Sequence, residues 1–272
     1  MAHPQIAAFA RLANKGQAPA RTVFGQTSKL SRTMHDIRYD EIHDEFVVGN
    51  PFANAILTFR GGATGQEGPI RIIQGPHTQG GATRLDVDPI HNEIFVPSGN
   101  RIRVYPREAN GDIAPIRIIE GPNTLLANAE SLAVDPINNV LVVGFNKQGN
   151  DPDGSILVFN RTDNGNVKPR AVIRGPKSGI IRINQMAVYP PKKLIVATMP
   201  GLANLMEPPD AFLGIWTYDD NGDIPPKWKI PVSPKTTLKK PFGVVLNPKN
   251  KEVIISDMRL NGVLTFSVPE IF

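Results

Sequence analysis

The sequence predicts an all-β protein, specifically a five-bladed β-propeller, and two observations lead to this fold class. Strand-like elements of four types recur in a fixed order along the 272 residues, and turn-forming residues separate them. Copies of one element lie about 50 residues apart, near the repeat length of propeller blades. Four strands per repeat are typical of a propeller, whose blades are four-stranded sheets around a central channel.

The first element is a short apolar and alternating strand that ends in a polar residue, and a proline follows in four of its five copies. This position predicts the innermost strand of each blade. The five copies are Ile37–Asp40, Leu85–Asp88, Leu132–Asp135, Met186–Tyr189 and Val244–Asn247.

The next two elements are richer in β-branched residues, as expected for strands that are buried on both faces. The second element has five copies: Glu45–Val48, Glu93–Val96, Val140–Val143, Leu194–Ala197 and Glu252–Ile255. The third element ends in an aromatic residue and has six copies: Ile6–Phe9, Ile56–Phe59, Ile102–Tyr105, Ile156–Phe159, Ile215–Tyr218 and Val263–Phe266.

The fourth element begins with a proline and alternates in polarity, which indicates an edge strand at the solvent rim. Its copies are Pro19–Val23, Pro69–Ile73, Pro115–Ile119, Pro169–Ile173 and Pro226–Ile230. Together the elements make five blades with one strand left over, and a six-bladed ring is the alternative. We expect one domain over residues 1–272, closed by N- and C-terminal strands that share a blade, with either Ile6–Phe9 or Val263–Phe266 as the spare strand.

Composition narrows the function classes. The chain is 40% hydrophobic and 20% charged, which is typical of a globular protein, and it has no cysteine, so disulfides and thiolate metal sites are excluded. A soluble protein is expected, because no apolar run is long enough for a membrane span and no signal peptide is recognisable; the compartment stays open. The net charge of +5 is spread along the chain, so neither a nucleic-acid nor a membrane partner is expected.

The segment Asn110–Thr124, which runs into Ser131–Pro136, resembles the NHL-type propeller repeat. The resemblance covers nearly the whole chain, although only Pro241–Gly243 keeps the Pro-x-Gly entry to the inner strand. That superfamily is similar in shape to sugar lactonases, paraoxonases and streptogramin lyases as well as to plain binding modules. The resemblance therefore implies a fold and does not transfer an activity.

The candidate site lies at the first residues of the inner strands, which line one end of a propeller channel. Burying polar groups there costs on the order of 1 to 3 kcal/mol each unless they find partners. Four of the five blades carry polar side chains at these positions, which makes them candidate ligand-binding residues: His35, Asp36, Thr83, Arg84, Glu130, Ser131, Asn184 and Gln185.

Three interpretations of this polar ring stay open. The side chains can pair with each other and with water, as when Arg84 bridges Asp36 and Glu130. They can bind a small polar molecule or a peptide. Alternatively, Asp36, Glu130 and Asn184 can supply the hard oxygen ligands that Ca²⁺ or another divalent cation accepts. The last case would resemble the lactonases, which use Glu, Asp and Asn around a central ion.

Two loops are expected on the same face. Residues 145–154 include Asp151 and Asp153 but lack EF-hand spacing, so a flexible insertion is the favoured interpretation. The longer segment 199–212 carries Leu202, Leu205, Met206 and Phe212, and long loops in compact domains are commonly functional. It predicts a lid over the channel, or else a self-packed cap.

The remaining histidines and basic residues are weaker candidates. His77 or His35 is the candidate general base if a cyclic ester is cleaved, whereas His43 and His91 match turn positions. No nucleophile elbow, phosphate loop or His-Glu-x-x-His motif occurs. Basic residues recur on the outer strands as a solvated edge: Arg21, Arg71, Arg117, Lys227 and Lys229.

These observations predict a binding module for a small polar ligand or a peptide at the channel mouth, with a possible protein partner at the rim loops. The alternative is a divalent-metal-dependent hydrolase, lactonase or lyase at the same place. Whether the protein is an enzyme stays open at this point.

Overall fold

The computed structural model describes residues 4–32, 36–146 and 154–272. The chain divides into two compact units, one of residues 1–96 with 103–117 and the other of residues 97–102 with 118–272. The described residues contain 21 strands and short 3-10 turns, with no α-helix among them.

The strands follow the four-element order along the chain. Their bounds are β1 Gln5–Ala8, β2 Arg21–Phe24, β3 Asp36–Asp40, β4 Glu45–Asn50, β5 Ala55–Arg60, β6 Arg71–Gln74, β7 Asp86–Asp88, β8 Glu93–Ser98, β9 Arg101–Pro106, β10 Arg117–Glu120, β11 Ala129–Asp135, β12 Val140–Phe145, β13 Ser155–Asn160, β14 Ala171–Ile173, β15 Met186–Tyr189, β16 Leu194–Met199, β17 Phe212–Thr217, β18 Trp228–Pro231, β19 Pro241–Asn247, β20 Glu252–Asp257 and β21 Gly262–Ser267.

The strands form antiparallel meander sheets, which are the blades of a five-bladed β-propeller, so the predicted fold class is confirmed. Four sheets have four strands each: β3–β6, β7–β10, β11–β14 and β15–β18. The fifth sheet has three, β19–β21. All four predicted strand types are present at the predicted places.

The terminal strands differ from the prediction, because they do not share a blade. Strands β1 and β2 pair with each other in a two-stranded sheet of their own, separate from β19–β21. Ile6 and Val23 of this small sheet pack against Phe46 and Phe59 of the next sheet. Burial of these side chains attaches the two-stranded sheet to the sheet β3–β6.

The core of each unit lies between neighbouring sheets. In the first unit, Val47 and Ile56 of one sheet belong to the same buried cluster as Leu85 of the next. In the second unit, the sheets β11–β14, β15–β18 and β19–β21 bury apolar clusters against their neighbours in the same way. The strands therefore carry apolar residues on both faces, as the continuous apolar runs predict.

An Asn-Gly turn after the third strand of a blade bonds to the outer strand of the preceding blade, and we call this turn a clasp. In the clasp of residues 110–112, Asn110 Oδ1 accepts the backbone N–H of Ile72 at 2.9 Å, and Gly111 forms a parallel bridge with Ile73. The positive φ of 88° at Gly111 suits glycine. Residues 164–166 and 221–223 form the same contacts in the second unit.

A buried aspartate ends the inner strand and holds the turn that follows. Asp40 accepts the backbone N–H groups of Ile42 and His43 at 3.0 Å, and its other oxygen lies 2.8 Å from His43 Nδ1. Asp88 and His91 repeat this geometry. The interpretation of both histidines as turn residues therefore agrees with their contacts.

Candidate functional site

Asp36 stands at the first position of β3, where the sequence places a ligand-binding side chain. Its carboxylate is buried and accepts the backbone N–H of Leu85, at the start of the next inner strand, at 3.3 Å. Arg38 Nε lies 3.1 Å from Asp86, and its guanidinium is also 3.7 Å from Asp36. Burial lowers the pKa of Arg38, but Asp36 and Asp86 raise it, and the net pKa lies above its ordinary value. The carboxylate thus joins two neighbouring blades.

Asn184 and Gln185 make the same kind of contact in the second unit. Asn184 Nδ2 donates to the carbonyl of Phe242 at 3.0 Å, and Gln185 Oε1 accepts the backbone N–H of Val244 at 2.8 Å. Gln185 occupies the strand position that Asp36 has in β3, and Val244 the position of Leu85. Side chains at this register therefore complete the backbone hydrogen bonding of the next inner strand, which removes the cost of leaving it unpaired.

Thr198 strengthens this junction and was not among the predicted residues. Its hydroxyl donates to the carbonyl of Phe242 at 2.6 Å and lies 3.1 Å from the backbone nitrogen of Gln185, from which it accepts a hydrogen bond. The aligned positions of two earlier blades carry Gly49 and Gly144. A threonine where the repeat has glycine is the signal that could have identified it.

The other predicted residues of the polar ring lie at the starts of two further inner strands. Thr83 is exposed and Arg84 is half-buried before β7. In β11, Glu130 accepts Asn128 Nδ2 at 3.1 Å, and the buried Ser131 hydroxyl has no hydrogen-bond partner among the described residues. His35 lies outside the described residues, as do Asp151 and Asp153.

The predicted metal ligands are divided between the two units, with Asp36 in the first and Glu130 and Asn184 in the second. Within residues 4–32, 36–146 and 154–272, no group of three or more His, Asp or Glu side chains could hold a metal ion. The divalent-cation site therefore stays a prediction from the sequence.

His77, the candidate base, is exposed in the 3-10 turn Pro76–Thr78 and takes part in a clasp. Its Nδ1 lies 2.6 Å from Asp112 Oδ2, and its backbone N–H donates to Asp112 Oδ1 at 2.8 Å. Burial raises the pKa of Asp112, but the hydrogen bonds from His77 outweigh it and hold that pKa below its ordinary value. The geometry gives His77 a structural partner, and its catalytic role stays a prediction.

Residues 200–211, the loop part of the segment 199–212 that is predicted as a lid, are attached to the following sheet. Glu207 binds Lys239 Nζ at 3.0 Å and Arg259 Nε at 3.1 Å, and both contacts hold the pKa of Glu207 below its usual range. The buried Lys240 directs its amino group at the carbonyls of Ala203 and Leu205.

Asp257 fixes the two chain segments that receive this loop. One of its carboxylate oxygens accepts the backbone N–H groups of Lys239 and Lys240 at 2.7 and 2.8 Å. The other accepts those of Arg259 and Leu260 at 2.9 and 3.0 Å. Sequence reasoning missed these partners, because the opposite charges lie 32 and 52 positions from Glu207.

Exposed apolar side chains stand beside these ion pairs. Met206, which precedes Glu207, is 67% exposed, and Met258, which precedes Arg259, is 60% exposed. Leu205 and Leu260 on the same two segments are also exposed. Phe212, by contrast, is buried in β17 with Lys229 Nζ 4.1 Å from its ring centroid, so it belongs to the core rather than to the predicted lid. We call Leu205, Met206, Met258 and Leu260 the apolar patch.

Comparisons with known proteins support the fold and leave the function open. No family model and no curated protein matches the chain. Among solved structures, a chain of "Crystal Structure of Mitotic Checkpoint Complex" matches with a TM-score of 0.60 and 15% identity, over 92% of this chain and 67% of that chain. No helix in the described part is long and apolar enough to cross a membrane. The likeness shows a β-propeller and does not single out the NHL-type repeat.

Proposed function

We propose that this propeller is a binding module that holds an apolar segment of a protein or peptide partner on the apolar patch. The observation that carries the proposal is a set of exposed apolar side chains on two segments that ion pairs hold together. Two of the four are methionines, whose unbranched side chains adapt to the shape of a partner. Neighbouring exposed apolar residues mark interaction sites more often than single ones do.

The attachment of the loop supports this function. Glu207 pairs with both Lys239 and Arg259, and Lys240 binds carbonyls of the loop, so the patch is held before a partner arrives. A surface that is already ordered loses less conformational entropy on binding. More specifically, we propose that the propeller is of the NHL-like type and that its rim loops bind the partner.

The predicted ligand site at the channel mouth has less support. Three of its side chains form hydrogen bonds with the backbone of the next inner strand: Asp36, Asn184 and Gln185. The hydrolase, lactonase and lyase alternatives stay predictions from the sequence.

Selection from a displayed random-peptide library on the immobilised protein tests the proposal, with the affinities of the selected peptides then measured by calorimetry. We expect peptides with apolar anchors, whose affinity falls at least tenfold in Met206→Ser and in Met258→Ser. Phe52→Ser, at a comparably exposed residue outside the patch, is the control and should bind as the unaltered protein does. Equal affinity in all variants would refute the patch.

A further inference from the structure

The methionines of the second unit fall into two groups that differ in exposure. Four methionines lie within residues 36–146 and 154–272, and all of them belong to this unit. Met206 is 67% exposed and Met258 is 60% exposed, whereas Met186 and Met199 are 0% and 1% exposed. The thioether sulfur is the atom of these side chains that oxidants attack, so the two groups should differ in their redox chemistry.

The buried methionines are enclosed by the core. Met186 and Met199 share one apolar cluster with Phe212, and all three belong to strands of the sheet β15–β18. An oxidant reaches their sulfur atoms only when this sheet opens, because a close-packed interior leaves no room for a further molecule. Met206 and Met258, by contrast, lie outside the strands, on the two segments that carry the apolar patch.

The reaction at an exposed methionine is a two-electron oxidation by a hydroperoxide. The sulfur attacks the peroxide, the oxygen–oxygen bond breaks, and a sulfur–oxygen bond forms. With hydrogen peroxide the second oxygen leaves as water, so the sulfur is oxidised and the peroxide is reduced. The product, methionine sulfoxide, is polar where the thioether was apolar.

The contacts that hold the patch involve neither of these sulfur atoms. Glu207 binds Lys239 and Arg259 through its carboxylate. The backbone N–H of Met258 donates to the carbonyl of Lys240 at 3.0 Å. Oxidation therefore changes the chemistry of the surface and leaves its ion pairs and backbone hydrogen bonds in place.

We propose that a hydroperoxide switches the apolar patch off by converting Met206 and Met258 to methionine sulfoxide. The inference rests on the proposed function, because it takes the patch as the surface that binds an apolar segment of a partner. A sulfoxide oxygen held against an apolar segment loses its water and gains no donor, which opposes binding. The change is reversible, since methionine sulfoxide reductases return the sulfur to the thioether. The partner is therefore bound under reducing conditions and released under oxidising ones.

Peptide mapping by mass spectrometry after timed exposure to hydrogen peroxide tests the chemical step. We expect Met206 and Met258 to be converted to sulfoxide while Met186 and Met199 remain unoxidised. The same treatment in concentrated urea is the control, and there the four residues should react at similar rates. Equal rates at the four residues of the folded protein would overturn the proposal.

Calorimetry with a peptide from the library selection, chosen to contain no methionine, tests the switch. We expect oxidation to weaken its affinity roughly tenfold, and the methionine sulfoxide reductases to restore it. A double variant that combines Met206→Leu with Met258→Leu keeps the patch apolar without sulfur, so its affinity should survive the same peroxide treatment. Met199→Leu, a volume-conserving change in the core, is the matched control and should lose affinity on oxidation as the unaltered protein does.

The outcomes separate this inference from the function on which it rests. Unchanged affinity after both sulfoxides have formed, or an equal loss in the double variant, would overturn the switch and leave the binding patch standing. A lowered midpoint temperature of unfolding in the oxidised protein would overturn it as well, because the loss of binding would then come from the fold. A peptide that binds Met206→Ser as tightly as the unaltered protein would instead refute the proposed function.

Discussion

The phenol of Tyr218 donates a hydrogen bond of 2.7 Å to the carboxylate of Asp135, across 83 positions of sequence. Asp135 ends the inner strand β11 and is fully buried, and it also accepts the backbone N–H groups of Ile137 and Asn138 at 2.9 Å. The aromatic residue that directly follows the third strand of one blade therefore holds the turn of the blade before it.

Replacement of Tyr218 by phenylalanine removes this bond and keeps the ring. A buried carboxylate then loses a donor, and we expect the free energy of unfolding to fall by about 2 kcal/mol. Urea denaturation measures the loss as a lower midpoint at an unchanged slope. Tyr39→Phe removes an exposed bond to Asp44 and is the control that should leave the midpoint where it was. Equal effects in the two variants would contradict the assignment.

The same bond predicts a pH dependence of stability. Burial, together with the hydrogen bond and charge of Asp135, raises the pKa of Tyr218 far above its ordinary value. In the unfolded chain the phenol loses its proton at about pH 10, so its contribution to stability is present below that pH and is lost as the pH rises above it. The midpoint temperature of thermal unfolding should fall more steeply between pH 8 and pH 11 for the unaltered protein than for Tyr218→Phe. Parallel curves would show that the phenol does not contribute.

Arg103 is a fully buried cation, and the carbonyl groups that accept its hydrogen bonds indicate its structural role. Its guanidinium donates to the carbonyls of Thr78, Gly80 and Gly81 at 2.7, 2.7 and 3.0 Å. Arg103→Leu introduces a leucine, the residue that the preceding blade carries at the aligned position, Leu57. The substitution leaves three carbonyls without the guanidinium donor.

We therefore expect Arg103→Leu to cost roughly 3 kcal/mol of folding stability and to speed hydrogen exchange in residues 78–83. Arg101→Leu, on the same strand but at an exposed position, should change neither quantity. Unaltered exchange in the loop of the Arg103 variant would refute its anchoring role.

The clasps predict a contrast between two glycines. Gly222 has φ of 84° and bridges Ile173, and a Cβ there would meet no atom within 4 Å. Gly222→Ala therefore tests backbone strain alone, and we expect a loss of about 1 kcal/mol from the left-handed conformation.

Gly62 is the matched control, since a Cβ there also meets no atom within 4 Å and its φ is not in the left-handed region. Gly62→Ala should be neutral or slightly stabilising in thermal unfolding, because it reduces the entropy of the unfolded chain. A loss in Gly62→Ala as large as that in Gly222→Ala would refute the strain argument.

Much of the fold was predictable because its signals are local. Alternating and apolar runs fix where strands such as β12 and β16 lie, and Asn-Gly turns mark the ends of blades. His43 and His91 could be placed in turns because the aspartates they bind are only three positions away. The candidate site was less predictable. Polar residues at the channel positions show the same sequence pattern whether they bond to a neighbouring blade or to a ligand.

By itself the sequence determined the all-β class, the 21 strands and their four-strand order, because strand periodicity and turn chemistry act over a few residues. Only the tertiary structure decided that Asp36 and Gln185 bond to the next inner strand and that Glu207 holds the loop 200–211 against Lys239 and Arg259. Those outcomes depend on atoms dozens of positions apart, and packing brings such atoms together at distances that no local pattern records.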